Sequence, residues 1–101
     1  MADITPLELK NKFENKDSFL FFDVREEWEY EEANIGATLF PLNDIPLRFN
    51  EMIPDKASEI VVHCQTGKRS NQARIYLESK GFSNVYSLAG GIVAYWELRQ
   101  E

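Results

Sequence analysis

The apolar residues of this chain fall into short runs that are separated by longer segments with helical spacing. The apolar runs, which predict strands buried on both faces of a sheet, lie at 18–24, 38–42, 59–64 and 84–88. The segments that read as helices lie at 5–14, 25–33, 44–52, 70–80 and 92–100. Strands that alternate with helices of about ten residues are typical of a parallel sheet covered on both faces. We therefore predict an α/β fold.

Local signals define the ends and the buried faces of several helices. Thr5 precedes a proline, and Glu8 follows three residues later, which is the pattern of a capping box. Gly81 stands where a left-handed residue would end the fourth helix. We expect Trp28 and Trp96 to anchor their helices in the core.

Composition indicates one ordinary domain spanning residues 1–101. The chain has 101 residues, of which 44% are hydrophobic, and its net charge is −6. Such an acidic chain lacks the basic face that nucleic-acid binding requires. The amino end lacks the basic start and the apolar stretch of a secretory signal. The longest apolar runs are far shorter than the roughly 20 residues needed to cross a bilayer. We expect a cytoplasmic protein that binds neither nucleic acid nor membrane.

The only cysteine, Cys64, ends the strand predicted at 59–64. By position alone, this thiol could simply complete a buried core strand. The residues after it favour another interpretation, because a short glycine-containing loop leads into a helix and carries Lys68 and Arg69 without an acid. Such a turn can direct backbone N–H groups at an anion. These groups stabilise the thiolate, which is the nucleophilic form of cysteine, relative to the thiol. We predict a reactive thiol within an anion-binding loop.

The only histidine, His63, precedes this cysteine directly. Consecutive strand residues point to opposite faces, so we expect His63 to be a structural or surface residue and not a catalytic partner of Cys64. One cysteine and one histidine also fall short of the four ligands of a usual zinc site. We therefore expect no bound metal.

Two chemistries use a thiolate in such a loop. Protein-phosphatase-type phosphate or arsenate chemistry uses Cys-x5-Arg, whereas this chain reads Cys64-x4-Arg69, with Ser70 at the position of that arginine. The shorter spacing gives a smaller cup, which suits one additional sulfur atom better than a phosphoryl group. This favours persulfide chemistry and leaves a phosphatase or arsenate reductase as the weaker alternative.

Four segments, in order, resemble the motifs of the rhodanese family almost from end to end. They are FFDVREEWEY, IGATLFPL, VVHCQTGKRS and ARIYLESKGFSNVYSLAGGIVAYW. They resemble, respectively, the Asp-Val-Arg box, the Gly-Ala segment, the Cys-x-x-Gly-x-Arg-Ser loop and the Leu-x-Gly-Gly-x-x-x-Trp ending. Each motif alone is weak evidence, but four in the right order are specific.

The resemblance implies a parallel sheet of about five strands, helices on both faces and a sulfurtransferase reaction. Cys64 would take a sulfane sulfur from a small anionic donor such as thiosulfate and pass it to cyanide, a thiol or a protein acceptor. No metal or organic cofactor is implied. Asp23 would orient Arg25 or brace the loop. The residues that would bind substrate are Gln65, Thr66, Gly67, Lys68, Arg69, Ser70 and Arg25.

The chain departs from the family pattern in one place. Members commonly read Gly-His-Ile-x-Gly-Ala, whereas residues 33–37 read Ala-Asn-Ile-Gly-Ala, without the histidine and one residue shorter.

A second function also remains open, in which the domain relays a persulfide to one docking partner that the acidic segment 26–32 attracts. The sequence carries no indication of an oligomeric state.

Overall fold

A five-stranded, entirely parallel sheet forms the centre of the fold in the computed structural model, which describes residues 3–99. The strands are β1 (Asp3–Ile4), β2 (Leu20–Asp23), β3 (Thr38–Leu39), β4 (Ile60–His63) and β5 (Val85–Leu88). The helices are α1 (Pro6–Glu14), α2 (Glu27–Glu32), α3 (Ile45–Met52), α4 (Lys68–Ser79) and α5 (Gly91–Arg99), with a 3-10 turn at Leu42–Asp44. The strand order is β1-β5-β4-β2-β3. This architecture confirms the predicted α/β class.

Strand β4 lies at the centre of the sheet, and all four of its residues are buried. On one face Val62 belongs to the hydrophobic cluster that includes Ile45 of α3 and Leu77 of α4. On the other face Val61 packs in a second cluster with Leu9 of α1 and Tyr95 of α5. Because helices cover both faces, a ligand can approach β4 only beyond its carboxyl end, where open α/β sheets place their ligands.

Local capping signals in the sequence correspond to the observed helix ends. The Thr5 side chain accepts a hydrogen bond from the Glu8 backbone N–H, and the Glu8 carboxylate accepts one from the Thr5 N–H. Gly81 has a φ of +97° and follows the end of α4. The capping box and the left-handed glycine are therefore both confirmed.

Several boundaries differ from the prediction. The strand predicted at 38–42 covers only Thr38–Leu39, since the chain enters the 3-10 turn at Leu42. Strand β1 was not predicted, because its two residues form a strand only through their pairing with β5. Helix α4 begins at Lys68, two residues before the predicted start, since the backbone turns into the helix at Gly67. Helix α5 begins at Gly91, and Gln100, the last residue of its predicted range, lies outside the described residues.

The expectation that the tryptophans anchor the core was wrong for Trp28, and Trp96 is only half-buried. Trp28 has 63% of its surface exposed, and α2 has no buried residue at all. Trp96 is half-buried, because Ile92 and Tyr95, three residues apart, form the face of α5 that meets the sheet. Trp28 therefore lies outside the core, and Trp96 lies at its edge.

Candidate active site

The loop after β4 curls around the sulfur of Cys64. The backbone N–H of Gly67 donates to Sγ at 3.1 Å, and the N–H of Ser70 donates to it at 3.3 Å. Gly67 has a φ of +106°, a left-handed conformation that favours glycine and directs its N–H inward. The sulfur therefore lies at the amino end of α4, where unpaired N–H groups and the helix dipole stabilise negative charge.

The Cys64 side chain is fully buried, with 0% of its surface exposed. It belongs to the hydrophobic cluster that contains Val62 and Ala73, so one side of the sulfur contacts the core. Its other side faces the amides of the loop. The structure thus combines the two interpretations of the sequence, because the thiol completes the core strand and also receives hydrogen bonds from the loop.

The start of α5 holds the loop in this conformation. The N–H of Ile92 donates to the Cys64 carbonyl at 2.9 Å, and the N–H of Val93 donates to the Gln65 carbonyl at 3.2 Å. Gly91 packs so closely on the loop that a Cβ there would overlap the Gln65 carbonyl. With its first carbonyls bound to α5, the loop can turn its later N–H groups toward the sulfur.

A buried pair of hydroxyl groups supports the loop from the side of β5. Ser70 Oγ lies 3.6 Å from Cys64 Sγ, 3.2 Å from the Gly67 carbonyl and 2.7 Å from Ser87 Oγ. Ser87 was not among the site residues predicted from the sequence. The available signal was a small polar residue two positions after Val85 and therefore on the same face of the strand.

Arg25 is buried below the loop and is bound to a carboxylate. Its guanidinium donates to both oxygens of Asp23, with Nε to Oδ1 at 3.0 Å and Nη2 to Oδ2 at 2.9 Å. Further hydrogen bonds reach the carbonyl of Ala33 at 2.7 Å and Oε1 of Gln65 at 3.4 Å. Arg25 therefore connects the end of β2 to the end of α2 and to the first residue of the loop.

Arg69 is also engaged by a carboxylate. Its two terminal nitrogens donate to Glu29 of α2 at 2.7 and 2.9 Å. The hydrogen bonds from Arg69 lower the pKa of Glu29 from 4.5 to about 2. The guanidinium donates none of its described hydrogen bonds to the thiol, and the pair instead joins the first turn of α4 to α2.

The remaining loop residues differ in exposure. Gln65 is half-buried, whereas Thr66 and Lys68 are exposed. Within residues 3–99, Lys68 forms no ion pair. Lys68 is thus the loop cation whose charge is not matched by a neighbouring carboxylate.

His63 lies on the face of the sheet opposite to the Cys64 sulfur. It is fully buried beside Phe21, with ring centroids 5.2 Å apart, and its Nδ1 is 3.3 Å from the Cys64 carbonyl oxygen. Burial lowers the pKa of His63, although the nearby Asp23 carboxylate opposes this shift. The structure therefore makes His63 a buried structural residue, one of the two positions expected for it.

Asn34 stands in the segment that lacks the family histidine. Its Oδ1 accepts from the Gly36 N–H at 3.0 Å, and its Nδ2 donates to the Tyr30 carbonyl at 3.1 Å. These two bonds close the turn between α2 and β3, so the shorter segment retains a defined local structure.

No group of three or more His, Cys, Asp or Glu side chains among residues 3–99 is placed to hold a metal ion. None of the helices in this part of the chain combines the length and the apolar character that crossing a membrane requires.

The fold and the cysteine loop define a recognisable class of protein. The family model of the rhodanese-like domain matches residues 5–98, and the chain therefore belongs to the rhodanese-like domain family. A sulfurtransferase of Allochromatium vinosum is 32% identical over 94 residues, which cover 92% of this chain and 86% of that protein.

Two further relatives show how widely the domain is used. The crystal structure of a rhodanese-like domain protein from Staphylococcus aureus is 32% identical, with a TM-score of 0.82, over 94% of this chain and 91% of that one. A tRNA uridine(34) hydroxylase of Yersinia pestis is 32% identical over 87 residues, 81% of this chain. The match spans only 24% of the length of the hydroxylase. The same domain thus occurs in a protein of about the length of this chain and as a part of a longer enzyme.

Proposed function

We propose that this protein is a sulfurtransferase that carries a sulfane sulfur on Cys64. The observation that carries the proposal is the convergence of the Gly67 and Ser70 N–H groups on Sγ at the start of α4. These donors stabilise negative charge on the sulfur, whether the charge belongs to a thiolate or to the outer atom of a persulfide. The sulfurtransferase among the relatives supports the same class of reaction.

The reaction consists of two half-reactions at Cys64. The thiolate attacks the outer sulfur of thiosulfate and forms an S–S bond, while the sulfur–sulfur bond of thiosulfate breaks and sulfite leaves with the electron pair. In the second half-reaction, cyanide or a thiolate attacks the outer sulfur of the persulfide. The S–S bond to Cys64 then breaks, and its electron pair returns to the Cys64 thiolate. Neither step requires a redox cofactor or a metal.

The burial of Cys64 adds a requirement to this scheme. A thiosulfate ion reaches Sγ only when the loop at 65–70 moves away from the sulfur. Lys68, exposed on this loop, is placed to attract the anion before the loop opens. Loop opening therefore precedes the chemical step.

The mass of the intact protein tests the proposal. We expect thiosulfate to add one sulfur atom, about 32 Da, and cyanide or a small thiol to remove it. Cys64→Ser is the matched control, because it replaces only the reacting atom, and it should gain no mass. An unchanged mass in the native protein after incubation with thiosulfate and with a protein persulfide would exclude sulfur transfer.

A second candidate function is a relay that receives sulfur from a partner protein and uses thiosulfate poorly. The observation in its favour is that four of the six residues of α2 are glutamates, close to a buried nucleophile. Turnover with thiosulfate, compared with turnover with a protein persulfide, separates the two. A higher rate with the protein donor supports the relay.

The phosphatase or arsenate reductase alternative is less well supported by the geometry. Such enzymes need an arginine to clamp the oxyanion over the sulfur, and Glu29 already binds both terminal nitrogens of Arg69. Arylphosphate hydrolysis that disappears in Cys64→Ser would revive this alternative.

A further inference from the structure

The only two tryptophans of the chain line the same groove beside the cysteine loop. The groove has a volume of about 250 Å³, and Gln65, the residue next to Cys64, forms part of its wall. Trp28 has 63% of its surface exposed, and Trp96 is half-buried. Exposed tryptophans are uncommon on a free surface and enriched at binding interfaces. Their shared position beside Gln65, the residue after the nucleophile, is typical of a docking site.

The charges that line this groove leave one carboxylate uncompensated. The charge of Arg25 is balanced by Asp23, and the charge of Glu29 is balanced by Arg69. Glu32 also lines the groove, is exposed, and has no ion-pair partner within residues 3–99. The net charge presented to an occupant is therefore negative, and the neighbouring exposed glutamates of α2 extend the same sign.

We propose that this groove binds a lysine or arginine side chain of a protein that exchanges sulfur with Cys64. Aromatic rings attract cations through their faces, with tryptophan the strongest of them, and a carboxylate at the same site adds ionic attraction. The acidic surface of α2 steers a basic segment toward the groove. The inference rests on the proposed sulfurtransferase function and identifies its partner as a polypeptide with a cation near its thiol.

In this arrangement, the bound cation positions the partner's thiol for the second half-reaction. The partner's thiolate attacks the outer sulfur of the Cys64 persulfide and forms a new S–S bond. The bond between that sulfur and Cys64 Sγ breaks, and the electron pair remains on the Cys64 thiolate. The partner leaves as a persulfide, and no electrons are gained or lost overall.

Binding can be tested without any sulfur chemistry. Two amidated peptides, Gly-Lys-Ser-Lys-Gly and Gly-Glu-Ser-Glu-Gly, are titrated into the protein while tryptophan fluorescence is recorded. Because both tryptophans line the groove, we expect only the lysine peptide to change the emission. Glu32→Gln should weaken its binding about tenfold, the loss of one charge-assisted contact. Trp28→Leu, at an exposed position, should weaken it as well.

Glu31→Gln is the matched control, since it removes the same charge from the same helix at an exposed residue that does not line the groove. We expect a change in affinity below about twofold for this variant, the size of a rim-charge effect. Equal losses in Glu31→Gln and Glu32→Gln would overturn the proposal in favour of general charge attraction. Equal binding of the two peptides would overturn it as well.

An activity measurement distinguishes this inference from the proposed function. The persulfidated protein is mixed with Gly-Lys-Cys-Lys-Gly, Gly-Glu-Cys-Glu-Gly or cyanide, and kcat/KM is compared with that of Glu32→Gln. We expect the variant to lose rate only with the lysine peptide. The same ratio of variant to native kcat/KM for all three acceptors would overturn the groove proposal and leave sulfur transfer intact. Failure to form the persulfide would instead overturn sulfur transfer, and the fluorescence result would stand independently.

Discussion

Two arginine–carboxylate pairs lie next to the cysteine loop, and they differ chiefly in burial. In the pair of Arg25 with Asp23, the side chains are 3% and 0% exposed. In the pair of Arg69 with Glu29, they are 33% and 13% exposed. Both pairs are bidentate, with nitrogen–oxygen distances between 2.7 and 3.0 Å. The same bidentate contact is therefore found in two environments. Breaking it should cost more free energy of unfolding in the buried environment than in the less buried one.

The comparison also separates two structural roles. The buried pair fixes the end of β2, because Arg25 additionally donates to the Ala33 carbonyl and to Gln65. The less buried pair joins α2 to the first turn of α4, and its Glu29 also accepts a hydrogen bond from the Glu26 N–H. Since a carboxylate occupies each arginine, Lys68 is the loop cation that is most available to an incoming anion.

The largest expected effect comes from breaking the buried pair. Arg25→Leu leaves the Asp23 carboxylate without its counter-ion in a site that water does not reach, which should cost about 3–5 kcal/mol of unfolding free energy. Urea denaturation followed by circular dichroism measures this loss. The double variant Asp23→Asn/Arg25→Leu should recover a large part of it. Equal stability of the single and double variants would show that the unpaired charge is not the cause.

A smaller effect is expected on substrate affinity. If Lys68 supplies the available charge, Lys68→Gln should raise the KM for thiosulfate about tenfold, the equivalent of one ionic contact, with kcat less affected. Steady-state kinetics of thiocyanate formation measures both constants. Lys10→Gln, a substitution of equal charge on the distant α1, is the control and should change neither. A KM that is unchanged in Lys68→Gln would remove this residue from donor binding.

The smallest effect is expected for the less buried pair, Arg69 with Glu29. Arg69→Gln should cost about 1 kcal/mol or less, as is usual for partly exposed ion pairs. The folded-state pKa of Glu29 lies at about 2, below its ordinary value of 4.5, so the stabilisation is complete above pH 4.5 and is lost as the pH falls through 2. Urea midpoints of the native protein and of Arg69→Gln should therefore differ at pH 6 and converge near pH 2. A difference that persists at pH 2 would contradict the assignment.

The parts of the fold that were predictable from the sequence are those with local causes. The capping box at Thr5 depends on residues three positions apart, and the buried strand around Val62 is marked by its own apolar run. Strand β1 carries no such pattern, because its only definition is the pairing of Asp3 and Ile4 with β5. Secondary structure set by a distant strand is not visible in a two-residue segment.

The candidate site shows the same division. The loop at 64–70 was identified from a thiol, a glycine and cations that are adjacent in sequence. The engagement of Arg69 by Glu29 was not, because the two residues are 40 positions apart and meet only when α2 packs near α4. The exposure of Trp28 was also not predicted. The local sequence of a short helix does not show whether another element covers its apolar residue.

The complete enclosure of the Cys64 sulfur has a kinetic consequence. On the proposed scheme, every electrophile, whether sulfur donor, alkylating agent or peroxide, reaches the sulfur only after residues 65–70 rearrange. Reagents of very different intrinsic reactivity should then share one ceiling rate at saturating concentration, set by the chain and not by the reagent. On the same scheme, the resting nucleophile should be protected from oxidants.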